Sequence, residues 1–279
     1  MKKNTAPNIV PAGGLPAIKK KTAPKFVPAN GIGKKLKGMA IVSVDYFINS
    51  IFMKITIIYD NTAFRKDLQA DWGFSALIEA ENTPKILFDT GASGSILLSN
   101  MEKIDIDPKD IEEIFISHTH FDHMGGLRDF LKKNNQVKIY IPGDIPGSYK
   151  ELVGAKEAIS IKEPFQIHDN VFSTGELDGI EQSMGIITDK GIVLLVGCSH
   201  PKMSHILDAT KKFGKIYPHT KFGVGVYAVI GGMHGFSEFE LFKDLELICP
   251  THCTQHKAEL KKLYPQKYID GGAGRIIEI

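Results

Sequence analysis

The chain has 279 residues, 43% hydrophobic and 24% charged, enough apolar material for a sizeable core, which excludes a wholly disordered or fibrous protein. Its formal net charge of +2 is a cancellation: residues 1–40 hold nine of the 34 basic residues and no acidic one, leaving 25 basic against 32 acidic in the remainder. An acidic body without basic stripes interleaved with aromatics argues against nucleic acid as a partner.

Residues 1–52 read as a leader. TAPNIVPAGG from Thr5 and TAPKFVPANG from Thr22 form an imperfect tandem repeat. Pro7, Pro11, Pro16, Pro24 and Pro28, with Gly13, Gly14, Gly31 and Gly33, deny this stretch a helix interior or a central strand, so a flexible, extended segment is predicted. Either the duplicated motif docks on a protein or, through its lysines, on an anionic surface, or the leader is a solvated tail. Residues 39–52, MAIVSVDYFINSIF, are apolar but interrupted by Asp45, and fit an edge element or a linker. Alternation starts at Ile55, Ile57 and Tyr59. Met53 is therefore a plausible original start of one domain, 53–279.

Within that domain the strand signals ITIIY, FSALIEA and KILFD come in succession, the last ending in Asp89-Thr90-Gly91. A helix is predicted over 96–104, and another from Pro108 into KDIEE. Strand EIFIS at 113–117, helix GLRDFLKKN and strand VKIYIP make a βαβ pattern. GIITD and GIVLLV, separated by Lys190-Gly191, read as a hairpin, followed by helix KMSHILDATKKF, strand VYAVIGG, helix SEFELFKDLEL, ICPTHCTQH and a closing strand GRIIEI. Both halves run from strands to helices with reactive residues at strand ends, which predicts an α/β fold of two sheets packed face to face, each covered by helices. Cys198, Cys249 and Cys253, an odd number, make no disulfide framework. No apolar run approaches the roughly 20 residues of a membrane span, and Lys2-Lys3 is followed by Pro and Gly rather than a secretory apolar core. Cytoplasmic localisation is predicted.

The chemistry concentrates in His118-Thr119-His120-Phe121-Asp122-His123, directly after an apolar strand and before Gly125-Gly126. Four potential ligands on a loop anchored by a buried strand can converge on metal at little ordering cost, and imidazole with carboxylate suits zinc, with iron or manganese as alternatives. His200, His234 and His252 stand at three further strand ends. His168, His205, His219 and His256 have no such placement and are taken as ordinary residues.

HTHFDHMGG is similar to the HxHxDH signature of the metallo-β-lactamase superfamily, and the likeness spans roughly residues 53–279. It implies an αββα four-layer sandwich holding one or two divalent metals at one edge of the sheets. By the same likeness His118 and His120 sit on the first metal, Asp122 and His123 on the second, and Asp89 orients a ligand from behind. The family's bridging Asp is absent, since GIVLLVG runs into Cys198-Ser199-His200. His200 then completes the first shell and His252 the second. His234 is assigned to substrate contact, with metal ligation left open, and Glu181 is a further candidate ligand. Cys198 and Cys253 flank proposed ligands and read as small buried residues, with thiolate ligation as the alternative.

DNT, WGFS, LFDTG, SHTHFDHMGG, GCSH, IGGMH and PTHCT together resemble a narrower branch, the 7,8-dihydropterin-6-yl-methyl-4-(β-D-ribofuranosyl)aminobenzene-5'-phosphate synthases. The resemblance implies joining a dihydropterin methyl diphosphate to an arylamine ribosyl phosphate, with C–N bond formation and loss of pyrophosphate. Pro201-Lys202, Met233, Gly235 and Thr254-Gln255 depart from the branch pattern, and Lys202 offers either a charge for a phosphate or the solvated start of a helix. A missing bridging carboxylate favours binding a diphosphate leaving group. The alternative is a hydrolase of phosphoesters, phosphodiesters or thioesters that uses metal-bound hydroxide, with Asp122 as ligand and proton acceptor.

Overall fold

The computed structural model describes residues 9–11, 53–143, 154–216 and 225–279. Apart from Ile9–Pro11, the predicted flexible leader with its repeat, and the stretch 39–52 read as edge element or linker, lie outside the described residues.

Among the described residues the strands are β1 (Ile9–Pro11), β2 (Met53–Tyr59), β3 (Ser75–Ala80), β4 (Ile86–Phe88), β5 (Glu113–Phe115), β6 (Lys138–Pro142), β7 (Glu157–Ile161), β8 (Phe165–His168), β9 (Val171–Ser173), β10 (Met184–Thr188), β11 (Gly191–Val196), β12 (Val226–Gly232), β13 (Leu247–Thr251) and β14 (Ile276–Glu278). The helices are α1 (Gly94–Lys103), α2 (Phe121–Met124), α3 (Leu127–Lys133), α4 (Met203–Ile216) and α5 (Lys257–Leu263). One sheet runs in the order β1-β7-β6-β5-β4-β3-β2-β14 and the other β13-β12-β11-β10-β9-β8.

Period-two alternation decides which face each side chain takes. Ile55, Ile57, Ile78, Phe88 and Phe115 of the first sheet meet Met184, Val193, Leu195 and Ile230 of the second in one fully buried core. The intervening Leu77, Leu87, Ile114 and Ile139 point outward and pack with Leu97, Met101, Leu127 and Phe130 of α1 and α3. On the other side Leu194, Val196 and Val229 pack under Ile206, Leu207 and Leu260 of α4 and α5. The layers are therefore helix, sheet, sheet, helix, as predicted.

Topology brings the chemistry to one edge. Strands β4 to β7 pair in parallel, as do β11, β12 and β13. β2 and β4 both run antiparallel to β3, so they share a direction. The C-terminal ends of β2, β4, β5, β11, β12 and β13 deliver Asp60, Asp89, His118, Cys198, His234 and His252.

Two predicted helices are shorter. Pro108 opens only a 3-10 turn, Pro108–Asp110, capped by Asp107 Oδ1 accepting from Lys109 N–H at 2.9 Å. The SEFELFKDLEL stretch folds as a 3-10 turn, Phe239–Phe242. Its bonds run between residues three apart, and Phe242 is its one fully buried residue, with Leu245 buried three positions further on. A turn this short needs one buried anchor rather than a full amphipathic face. Strands β7, β8 and β9 and helix α5 had no counterpart in the sequence reading. No described helix is long and apolar enough to cross a membrane.

Candidate metal centre

The position of the chain where it leaves β5 for His118 is set by Asp89, which follows the parallel neighbour β4. Its carboxylate is fully buried and its backbone adopts a left-handed φ of 55°. Asp89 Oδ1 accepts from Ser117 N–H at 2.7 Å, while Oδ2 accepts from the Ser117 hydroxyl and from His123 Nδ1–H, each at 2.7 Å. With its proton committed to Asp89, the Ser117 hydroxyl accepts from His118 Nδ1–H at 2.9 Å. One carboxylate thus fixes the tautomers of two imidazoles, leaving the Nε2 lone pairs of His118 and His123 facing the edge of the sandwich.

His252 is held in the same way from the opposite sheet. Asn61 Oδ1 accepts from Gly73 N–H at 3.1 Å, which identifies it as the amide oxygen, so His252 Nδ1 must donate to it at 2.8 Å. Asn61 Nδ2 donates to the His252 carbonyl at 3.2 Å, and Asp60 Oδ1 accepts from His252 N–H at 2.7 Å. The Nε2 of His252 is again the bare nitrogen.

Two donor groups result. In the first, the Nε2 atoms of His123 and His252 lie 3.2 Å apart, and Asp122 Oδ2 lies 3.2 Å from His252 Nε2. In the second, the Nε2 atoms of His118 and His200 lie 3.1 Å apart, and the His120 ring sits 4.6 Å, centroid to centroid, from both. Five of the six predicted ligands thus bring their donor atoms together, and the His120 ring stands beside them at an exposed position on the rim. At this distance His123 Nε2 and His252 Nε2 must have either a shared proton or a metal cation between them. The edge of a zinc tetrahedron with imidazole ligands is about 3.3 Å, close to these separations, so the residues present fit a divalent metal.

Electrostatics point the same way. Burial, with the neighbouring His123 and His200 imidazoles, holds His118 well below the usual imidazole range. Burial and His234 push His200 down to about 4. Burial opposes ionisation of Asp122, but the His252 hydrogen bond and the His123 charge outweigh it and hold the carboxyl below its usual range. Neutral His118 and His200 beside an ionised Asp122 are ready for a cation. At His123 burial is overcome by the Asp89 and Asp122 carboxylates, which hold the imidazole above its usual range, so a metal there would displace a proton.

His234 follows β12 with φ of 37°, its ring 4.6 Å from His200 and its Nε2 buried without a hydrogen-bond partner. Beside it opens a cavity of about 350 Å³ lined by Ser199, His200, Lys202, Met233, His234 and Phe236. The glycines before it permit the approach: Gly231 has φ of 133°, and a Cβ there would strike the Val196 carbonyl. Glu181 lies behind the site. Its Oε1 accepts from Gly197, Cys198 and Ser199 N–H at 3.0, 3.0 and 3.1 Å, and its Oε2 from His200 N–H at 2.8 Å. Both carboxylate oxygens are spent on backbone, so Glu181 shapes the Cys198-Ser199-His200 turn.

The sequence profile of the metallo-β-lactamase superfamily matches residues 73–194. The 7,8-dihydropterin-6-methyl-4-(β-D-ribofuranosyl)-aminobenzene-5'-phosphate synthase of Methanocaldococcus jannaschii is 30% identical over an alignment covering 80% of this chain and 95% of that protein. The chain belongs to the metallo-β-lactamase superfamily. Its fold resembles the crystal structure of a metal-dependent hydrolase of the β-lactamase superfamily, with TM-score 0.61 and 24% identity, covering 81% of this chain and 99% of that one. The metallo-β-lactamase fold protein YhfI from Bacillus subtilis superposes with TM-score 0.58 at 15% identity, covering 82% and 100%.

For this superfamily member, sequence reasoning missed the residues that orient the predicted ligands: Asn61, Ser117 and Trp72. Trp72 Nε1–H donates to Asp122 Oδ2 at 2.8 Å, and its ring meets His252 edge-on at 5.1 Å. DNT and WGFS were visible as motifs, but only the fold carries Asn61 and Trp72 to His252 and Asp122. Replacing Asn61 by Leu is expected to free the His252 tautomer and lower zinc affinity of the first donor group about 10- to 100-fold. Competition with a chromogenic chelator checks this; unchanged affinity would mean that the Asn61 bond is incidental.

Proposed function

We propose that the protein is a metal-dependent transferase that joins a dihydropterin methyl diphosphate to an arylamine ribosyl phosphate. The observation that carries this reading is the 30% identity to the synthase of that name across 95% of its length. Zinc is the metal best matched to the donors, with one or two ions per chain, and ions there would supply Lewis acidity to the oxygens of a diphosphate.

The arylamine nitrogen attacks the methylene carbon next to the pterin ring, and the carbon–oxygen bond to the diphosphate breaks with its electron pair. Pyrophosphate leaves, and the nitrogen gives up one proton. Burial and surrounding imidazoles lower His234 below its ordinary range, which keeps the ring uncharged near neutrality and suited to receive that proton. Asp122 is the other acceptor within the site. Trp72 and Phe121, exposed at 57% and 72%, offer flat faces beside the donors for a heteroaromatic ring. Lys202 at the adjoining cavity suits a substrate phosphate. The acidic body argues against nucleic acid, and the leader is left as a docking segment for a protein or an anionic surface. Three buried, unbridged cysteines suit a reducing cytoplasm.

The test measures metal content of the purified full chain and its turnover of a panel holding the pterin and arylamine pair, phosphoesters, phosphodiesters and thioesters. Pyrophosphate release that requires both pterin and arylamine is expected. Water-dependent turnover of a single substrate would make the protein a hydrolase instead, and a metal-free chain that is fully active would end both readings.

A further inference from the structure

We propose that Cys198 is a metal ligand shared by the two donor groups, its thiolate standing at their junction where the superfamily's bridging carboxylate is missing. The assignment rests on the reading of the chain as a metal enzyme and adds the identity of the bridge.

Three observations carry it. Cys198 belongs to both groups: its Sγ lies within 4.8 Å of the ligand atoms of Asp122, His123 and His252, and within the same limit of those of His118 and His200. The sulfur is 3.1 Å from His123 Nε2, the nitrogen that Asp89 leaves bare. The residue is also fixed before any ion arrives, being 1% exposed, with its N–H held by Glu181 and the next residue, Ser199, in a left-handed turn with φ of 59°. A sulfur placed this way reaches both sets without rearrangement, so ordering costs little.

Cys253 takes a different part. Its Sγ lies 3.4 Å from Cys198 Sγ and accepts from His234 N–H at 3.4 Å. Cys253 falls only in a third set, with Cys198 and His234. Its thiol donates to the Cys198 sulfur and positions it. On loading, the Cys198 S–H bond breaks, the proton leaves to solvent, and the sulfur's electron pairs form the metal bonds. A thiolate at the junction also biases the site toward zinc over magnesium or manganese.

The full chain, stripped with chelator and titrated with cobalt(II), tests the assignment. An intense near-ultraviolet sulfur-to-cobalt charge-transfer band is expected to grow with the d–d bands, to vanish in Cys198→Ser and to persist in Cys253→Ser. X-ray absorption of the zinc-loaded wild type is expected to show a sulfur shell at about 2.3 Å. Bound cobalt with d–d bands but no charge transfer, or a band that survives Cys198→Ser, overturns the assignment while leaving the metal enzyme standing. Cobalt that does not bind at all removes the metal reading, and the bridge with it. If Cys198→Ser fails to fold, zinc-loaded Cys253→Ser decides: a retained sulfur shell supports Cys198, and a lost one overturns it.

Discussion

Replacing Asp89 by Asn is expected to abolish tight metal binding in both donor groups while leaving the fold nearly intact. Asn is close to isosteric, and the Ser117 N–H obliges its amide oxygen to take the Oδ1 position. The amide NH2 then occupies the place where Oδ2 accepted from Ser117 and His123. Both bonds must reverse. His123 Nδ1 becomes an acceptor and its proton moves to Nε2. The Ser117 hydroxyl, now accepting from the amide, turns its own proton to His118 Nδ1, which moves that ring's proton to Nε2 as well. Two lone pairs that faced the site become N–H donors. Loss of one orienting partner lowers metal affinity about 10- to 100-fold, and here two rings invert together, so about 100-fold or more is expected. Each hydrogen bond is replaced by another, so the metal-free protein should lose no more than about 2 kcal/mol. Chelator competition gives the affinity, denaturant unfolding gives the stability, and imidazole nitrogen resonances report the tautomers. Wild-type zinc affinity in the variant would show that Asp89 only fills space. Ser117→Ala isolates the second group, since it removes the acceptor for His118 but leaves the Asp89–His123 bond.

These relays mark the boundary of what the sequence could reveal. Ligands were legible because HTHFDH packs four of them into six residues, a density that survives without knowledge of the fold. The layered architecture was legible because β2, β11 and β12 alternate or run apolar over six or seven residues and end at or just before glycine or aspartate. The orienting residues were not, because Asn61 and His252 are 191 positions apart and meet only when β2 and β13 end at the same edge. Cys198 left both readings open, small buried residue and thiolate ligand, for a related reason: the choice depends on which atoms surround the sulfur, and local spacing carries none of that. The short helical segments failed differently. Apolar residues in SEFELFKDLEL have enough periodicity for a helix, yet the chain must reverse within a few residues to set β13 parallel to β12, and a 3-10 turn suffices.

Glu181→Ala is expected to yield no stably folded protein. The carboxylate is fully buried and takes four consecutive backbone N–H groups, from Gly197 to His200. These donors belong to a tight turn and have no strand partner to fall back on. Burial itself pushes the Glu181 carboxyl above its usual range, opposed by those same donors. Stranding a buried donor costs about 1–3 kcal/mol, so stranding four donors at once rivals the whole stability of a domain, about 5–15 kcal/mol. Glu181→Gln separates shape from charge. Its amide oxygen can still receive the three donors at the Oε1 position, while its NH2 confronts His200 N–H where Oε2 accepted. One conflict of about 1–3 kcal/mol is therefore expected, with the displacement confined to His200 and zinc lost preferentially from the His118–His200 group. Soluble yield, far-ultraviolet dichroism and urea midpoints of both variants check the order wild type, Gln, Ala. An alanine variant within about 1 kcal/mol of wild type would mean that water can replace the carboxylate. The turn bearing Cys198 and His200 would then be held by the Gly197–Gly232 backbone contact, where Gly232 N–H donates to the Gly197 carbonyl at 3.1 Å, rather than by Glu181.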